Sequence, residues 1–410
     1  MTNESAGDQA YAPVDSLKGL LQRGRGLGAL RAMDDPATAR ELVYGKVRQD
    51  WRWDSADDRC LYLARLIQEL GLALDPVIAV LAGDEDDCER ATGILELLAV
   101  SGSAEARDAL RAYVREGEHW VDVLQSVAGT WPMEWWNDLA DVARARLSGE
   151  EPLLWRSEPW VSWGTGYGSS AHPRPQGIHT VELGPSRRRL LSVLADADTA
   201  DGAKAEALHT LSGRPPEPDL IPLVPGLGTV DGRWPLPWLI RAVERLGALA
   251  VPEARAWAAD ERDWLSWTGI RVLAEHGETQ DLPALIRELA AHEEARQWCG
   301  PDRLAAGLAR FGPAAAEAAP LLRRLWLRTP HSYERPAYLK ALAAIDPAGL
   351  DWAYTESLWD CESNARLLGI ASAPDHPRVS QRLTQLRDDP MEEPEVRTAA
   401  GGRLAAAGRP

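Results

Sequence analysis

Side chains able to do chemistry are concentrated at a few places along the 410-residue chain. Between residues 149 and 186, the text GEEPLLWRSEPWVSWGTGYGSSAHPRPQGIHTVELGPS gathers Trp155, Trp160, Trp163 and Tyr167 with His172 and His179. Gly164-Thr-Gly166-Tyr-Gly168 inside it has the outline of a phosphate-cradling loop. A dinucleotide fingerprint needs a strand before it, a correctly spaced third glycine and a helix after it. Here Pro173 and Pro175 follow, and no Gly-Lys-Ser/Thr is present, so phosphate chemistry is set aside. The aromatic rings suit contact better, because such rings cover a large area at low entropic cost and are enriched at interfaces. Trp155, Trp160, Trp163, Tyr167 and His172 therefore form the first candidate partner-binding set, as a protein interface or as a site for a small molecule or peptide. The competing reading is that the rings plug a gap between helices. PWVSW and IHTVEL are the two short candidate strands of this excursion.

The second candidate set is the acidic run Asp84-Glu85-Asp86-Asp87. Carboxylates at a helix start are stabilised by the helix dipole, which by itself accounts for the run. With Asp54, Asp57 and Asp58 it would also form an acidic patch for a basic partner. A metal site built on His172 and His179 needs two further ligands that the neighbourhood does not supply, so no metal or other cofactor is expected. Cys60, Cys88, Cys299 and Cys361 are far apart and form no CxxC pair. They are expected as isolated buried thiols of a reducing compartment.

The elements that must position these residues are helical. Ala and Leu dominate the apolar composition, with eighteen tryptophans and one phenylalanine. Leu239, Ala242, Val243 and Leu246 in LIRAVERLG fall at the spacing of one helix face. That segment breaks at Gly247 and restarts at Pro252, and WTGIRVLAEHG then breaks at Gly277 and restarts at Pro283. Glycine tolerates the left-handed turn that ends a helix, and proline suits a first turn that lacks N–H partners. The same punctuation recurs at Gly71 with Pro76, at Gly102, at Gly213 with Pro218, and at Gly312, on a period of about 30–35 residues. Helices of 10–15 residues are marginal alone but become stable when stacked on neighbours. The organisation expected is a leader over 1–14, acidic helical repeats over 15–148, an irregular insertion over 149–186 and further repeats over 187–410.

GILELLAVSG–SAEARDALRAYV and RAVERLGALAVPEARAWAAD resemble HEAT repeats, in particular the short bacterial kind found in phycobilisome-lyase-like proteins. The resemblance covers about four-fifths of the chain. It implies an all-α fold, a right-handed α-α superhelix of HEAT/armadillo type, and binding along a concave surface. It implies no chemistry. The regular Asp–Val-Arg start of well-formed members is missing. Two kinds of catalytic HEAT-like protein offer a comparison. Glu118-His119, Glu275-His276 and His292-Glu293 lack the recurring order of HEAT-like di-iron hydroxylases. Trp131, Trp135, Trp136 and Asp138 match HEAT-like DNA glycosylases in residue type alone.

Charge narrows the partner. The net charge is −17, and residues 1–150 hold 16 Lys+Arg against 27 Asp+Glu. A nucleic-acid partner requires clustered cations, so nucleic acid and the glycosylase reading are disfavoured, whereas a cationic protein is favoured. The start of the chain lacks the basic-then-apolar pattern of a signal peptide, and no apolar run is long enough to span a membrane. The expectation is a cytoplasmic, non-catalytic binding protein, an acidic adaptor or an inhibitor of the kind an immunity protein is to its toxin.

Overall fold

The computed structural model describes residues 11–52, 56–147, 157–164 and 186–407. Regular structure among them is helical, α or 3-10, apart from one isolated bridge between Gly228 and Pro235. The chain divides into two compact units.

The first unit takes Met1–Pro175, Thr329–Pro336 and Gly349–Pro410, so it is assembled from both ends of the sequence. Its N-terminal part contains α1 (Leu17–Gln22), α2 (Gly26–Asp34), α3 (Pro36–Arg48), α4 (Cys60–Glu69), α5 (Asp75–Ile78), α6 (Glu85–Val100), α7 (Ala104–Glu116), α8 (Trp120–Thr130) and α9 (Ala140–Arg146). The second unit, Gln176–Arg328 with Ala337–Ala348, contains α10 (Arg187–Ala195), α11 (Asp201–Ser212), α12 (Leu239–Glu244), α13 (Val251–Trp257), α14 (Asp263–His276), α15 (Leu282–Ala295), α16 (Pro301–Ala309) and α17 (Ala319–Arg328). Helix α18 (Arg335–Ile345) begins in the first unit and runs into the second. The first unit is completed by α19 (Asp351–Ser357), α20 (Ser363–Ser372), α21 (Pro377–Asp388) and α22 (Pro394–Ala407). The sequence reading of 187–410 as one run of repeats differs from this division, because α19–α22 join the N-terminal helices.

Within the first unit α4 packs on α6, α6 on α7 and α8, and α2 on α19. One apolar core includes Leu66, Ile94 and Leu124 together with Leu358, Ile370 and Leu383. The α2–α19 crossing is close, since a Cβ on Gly26 would collide with the carbonyl of Glu356. In the second unit α13 packs on α14 and α14 on α16. The predicted face Leu239, Ala242, Val243 and Leu246 is buried there.

Helix starts follow the sequence signals. Asp35 accepts from the Thr38 amide at 3.2 Å, with Pro36 opening α3. Pro76, Pro252 and Pro283 all lie in first turns. Asp84 caps α6 by accepting from the Asp87 amide at 2.9 Å. The glycine stops are of two kinds. Gly71, Gly102, Gly247 and Gly312 have φ of 59°, 106°, 56° and 52°. Gly213 and Gly277 have φ of −92° and −64° and are not left-handed caps.

At Gly277 an arginine does the work expected of the glycine. Arg310 donates to the carbonyls of Ala274 (2.6 Å) and Gly277 (2.8 Å) at the end of α14. Arg146 does the same for Val114 (2.7 Å) and Gly117 (2.6 Å) after α7, and Arg403 for Ile370 (2.5 Å) and Ala373 after α20. Carbonyls left without intrahelical partners at a helix end are thus satisfied from the next helix pair.

Candidate functional site

The first unit holds a buried polar network that joins the two ends of the chain. Fully buried Asp57 accepts from the amide of Ser332 (2.5 Å), from its hydroxyl (2.8 Å), and faces Nδ1 of His331 at 3.0 Å. Asp, His and Ser together invite comparison with a hydrolytic triad. That chemistry needs the serine hydroxyl on the histidine ring, whereas here both side chains converge on the carboxylate. The arrangement is a clamp on the segment 329–336. Around it Arg335 grips Asp360 (2.9 and 2.6 Å), and Arg366 grips Glu392 (2.8 and 2.7 Å). Arg65 reaches Asp389 (2.7 Å) and Glu392 (2.8 Å). Cys361 accepts from Arg59 (3.1 Å) and Arg335 (3.2 Å), but burial outweighs both cations and leaves its thiol raised, so it is not a ready nucleophile.

Beside this network lies a cavity of about 280 Å³ between α1, α3, α4 and α6, lined among others by Gln22, Lys46, Trp51, Arg59, Tyr62 and Leu63. The Lys46 ammonium stands 4.3 Å from the centre of the Trp51 ring. Burial, with a smaller contribution from Lys18, pushes its pKa down to about 8. Lys46 is not among the residues singled out from the sequence. Its signal was available: it lies three residues beyond Val43 and next to Val47, both fully buried, so a cation sits on the apolar face of α3.

A second hollow of about 310 Å³ adjoins the first through shared Glu89 and Ser126, and its wall is acidic, with Glu85, Glu89 and Asp122 beside His119. The second unit has its own cavity of about 370 Å³ between α12, α14 and α16, lined by Glu244, Arg271, His276, Arg303 and Arg310 among others. There Arg271 pairs with Glu244, and Arg303 approaches the same carboxylate at 3.4 Å.

The residues singled out in the sequence are dispersed. Trp155, Tyr167, His172, His179 and the IHTVEL segment lie outside the described residues, as does Asp54. Trp160 is 1% exposed and meets Trp120 and Trp163 edge-on at 6.4 and 5.5 Å. This corrects its expected role as a partner contact: the ring plugs the core. Trp163 is half-buried, and its indole N–H donates to Asn137 at 3.0 Å. PWVSW is a turn and not a strand, held by the Trp163 amide donating to the Pro159 carbonyl at 3.0 Å. In the acidic run, Asp84 caps α6, Glu85 lines the second hollow, Asp86 is exposed and Asp87 pairs with Arg90. Asp57 is buried in the clamp, which removes it from the expected surface patch. Trp131 and Trp136 are buried, and Asp138 is held by Arg111 at 2.8 and 2.6 Å. His292 is buried against Trp267, while Cys299 is exposed, unlike the buried thiol expected of it. Among the described residues no group of three His, Cys, Asp or Glu side chains could hold a metal ion, and no helix is long and apolar enough to cross a membrane.

Among the described residues the fold is all-helical, with helices packed against others of their unit. Comparison with protein-family models, with curated proteins and with solved structures gives no match for this chain.

Proposed function

We propose that the chain is a non-catalytic binding protein of the HEAT-like, right-handed α-solenoid kind, and that its partner is a cationic protein held on the acidic helices of residues 15–148. The observation that carries this reading is the acidic hollow along α6 and α8, where Glu85, Glu89 and Asp122 face one space open to a Lys or Arg side chain. Opposite charge at such a surface steers association and selects partners more than it adds raw affinity. The net −11 of residues 1–150 supports the same preference over the whole surface. The inhibitor or adaptor role is the version of this reading that needs no chemistry from the chain.

Capture from the native host tests it, using the full chain and a variant carrying Glu85→Lys, Glu89→Lys and Asp122→Lys. Basic proteins retained by the first and lost by the second are expected, with retention falling as salt is raised. Recovery of neutral or acidic proteins alone, or equal capture by the variant, rejects the reading.

A further inference from the structure

We propose that the cavity walled by Gln22, Lys46, Trp51 and Arg59 is a binding site for a small organic carboxylate, a singly charged anion with an apolar body. This goes beyond the protein-binding reading and rests on different residues. Three buried polar atoms of the wall have no hydrogen-bond partner among the described residues: Nε2 of Gln22, Nε1 of Trp51 and Nε of Arg59. All three are donors. The indole and guanidinium nitrogens cannot accept, and the Gln22 amide is oriented by its oxygen, which accepts from the Ala12 amide at 2.7 Å. Gln22 is 1% exposed and Arg59 7%, so solvent at the protein surface does not reach them.

To these is added an unpaired cation. The Lys46 ammonium carries no hydrogen bond or ion pair among the described residues, and its ring contact with Trp51 is at 4.3 Å. Burial, and to a smaller extent Lys18, lowers its pKa, so an anion bound beside it would be favoured. The other charged groups of the wall are largely engaged. Asp50 is held by Arg52 at 2.7 Å, Asp58 accepts from the Cys60 amide at 2.8 Å, and Arg90 donates to the Val47 carbonyl at 2.7 Å and pairs with Asp87. Arg52, Arg59 and Arg90 are each met by a carboxylate, of Asp50, Asp57 and Asp87 respectively, and Asp58 and Glu89 are exposed, so Lys46 is the cation of the wall without a carboxylate partner among the described residues.

One buried cation without a carboxylate partner matches a singly charged carboxylate better than a phosphate dianion. A carboxylate also offers about four acceptor sites, whereas one water molecule accepts two hydrogen bonds. Leu21, Leu63 and the Trp51 ring supply apolar wall for the rest of the ligand. At about 280 Å³ the cavity is close to the lower end of small-molecule sites.

The test uses the full chain with benzoate and phenylacetate as probes, and with benzyl alcohol and phenyl phosphate as comparators. Calorimetry and thermal melting are expected to show saturable carboxylate binding in the millimolar range or tighter, with benzyl alcohol silent. Lys46→Met removes an unpaired ammonium and is expected to fold, while weakening the carboxylates about ten- to a hundredfold. Gln22→Leu and Trp51→Phe, which each remove one donor, are expected to weaken them several-fold and give a second reading if Lys46→Met misfolds. The proposal is overturned by absent saturable binding of both carboxylates, by equal binding of benzyl alcohol, by unchanged affinity in the variants, or by phenyl phosphate binding more tightly than either carboxylate.

Discussion

Burial by itself would raise the pKa of Asp57, yet the hydrogen bonds from His331 and Ser332 and the charge of Arg59 outweigh it and bring the group from 3.8 down to about 2. A carboxyl depressed in the folded state stabilises the fold above its unfolded pKa, and that contribution is lost as pH falls through the folded value. About 2 kcal/mol is therefore expected to disappear between pH of about 4 and 2. Urea midpoints measured across that range should fall in the wild type, and Asp57→Asn should lose this part of the slope while being less stable at neutral pH. Glu96 has the opposite sign. Burial raises it from 4.5 to about 7, with Ser126 opposing, and its Oε1 has no partner among the described residues. Its contribution is full below pH of about 4.5 and is lost as pH rises through 7. Glu96→Gln should then be more stable than the wild type by roughly 2–3 kcal/mol at pH 8 and nearly equal at pH 5. An unfolding curve for the variant that matches the wild type at both pH values would contradict this. At this scale the sequence placed the acidic run from Asp84 at a helix start, because a helix dipole acts on its own first turn. It could not mark Asp57, whose partners lie 274 and 275 residues away.

The punctuation of the elements was legible where it acts locally, and illegible where the partner belongs to the next helix pair. Pro76, Pro252 and Pro283 open helices as read, because proline's missing N–H matters only in its own turn. Gly277 was read as a left-handed stop, but its carbonyl is satisfied by Arg310, 33 residues on. A second device went unread although it is short. Asp260 accepts from the Arg262 amide at 3.0 Å, and Asp360 from the Glu362 amide at 2.9 Å, one turn before α14 and α20 respectively. Each of those helices then presents a glycine, Gly269 or Gly369, to the backbone of the helix before it. Two stretches 100 residues apart thus share an aspartate turn and a close crossing, and this supports the repeat reading better than glycine spacing does. The arginine device can be tested directly. Arg310→Met leaves two carbonyls at the end of α14 without donors and should cost about 1–3 kcal/mol. Arg144→Met removes an exposed pair with Asp141 and should cost well under about 1 kcal/mol. Equal losses in chemical denaturation would show that the arginine–carbonyl bonds are not what holds α14.

At the scale of the whole molecule, the first unit draws α1–α9 and α19–α22 from opposite ends of the chain. Helical periodicity reports on each helix and its chain neighbour, so it carries no information about this pairing. What does specify it is a set of buried ion pairs. Arg25 with Glu356 and Arg65 with Asp389 and Glu392 each join the chain before residue 70 to the chain after residue 350. Such pairs stabilise little in net, since desolvation offsets attraction, but an orphaned partner is heavily penalised. They therefore select one docking of the two ends over slipped alternatives. Glu392 is the sharpest place to probe this, because both Arg366 and Arg65 depend on it. Glu392→Gln leaves two buried guanidinium groups short of charge and should cost about 3–5 kcal/mol. Glu392→Gln combined with Arg65→Met and Arg366→Met should recover much of that loss, since the penalty belongs to the unpaired charges and not to the missing attraction. Truncation after Ala348 goes further, exposing the core faces that meet Leu358, Ile370 and Leu383. In that chain the N-terminal helices should lose their cooperative melting transition. A truncated protein that retains it, with resistance to proteolysis over residues 15–147, would show that the N-terminal repeats stand alone and that the closing helices are an addition to them.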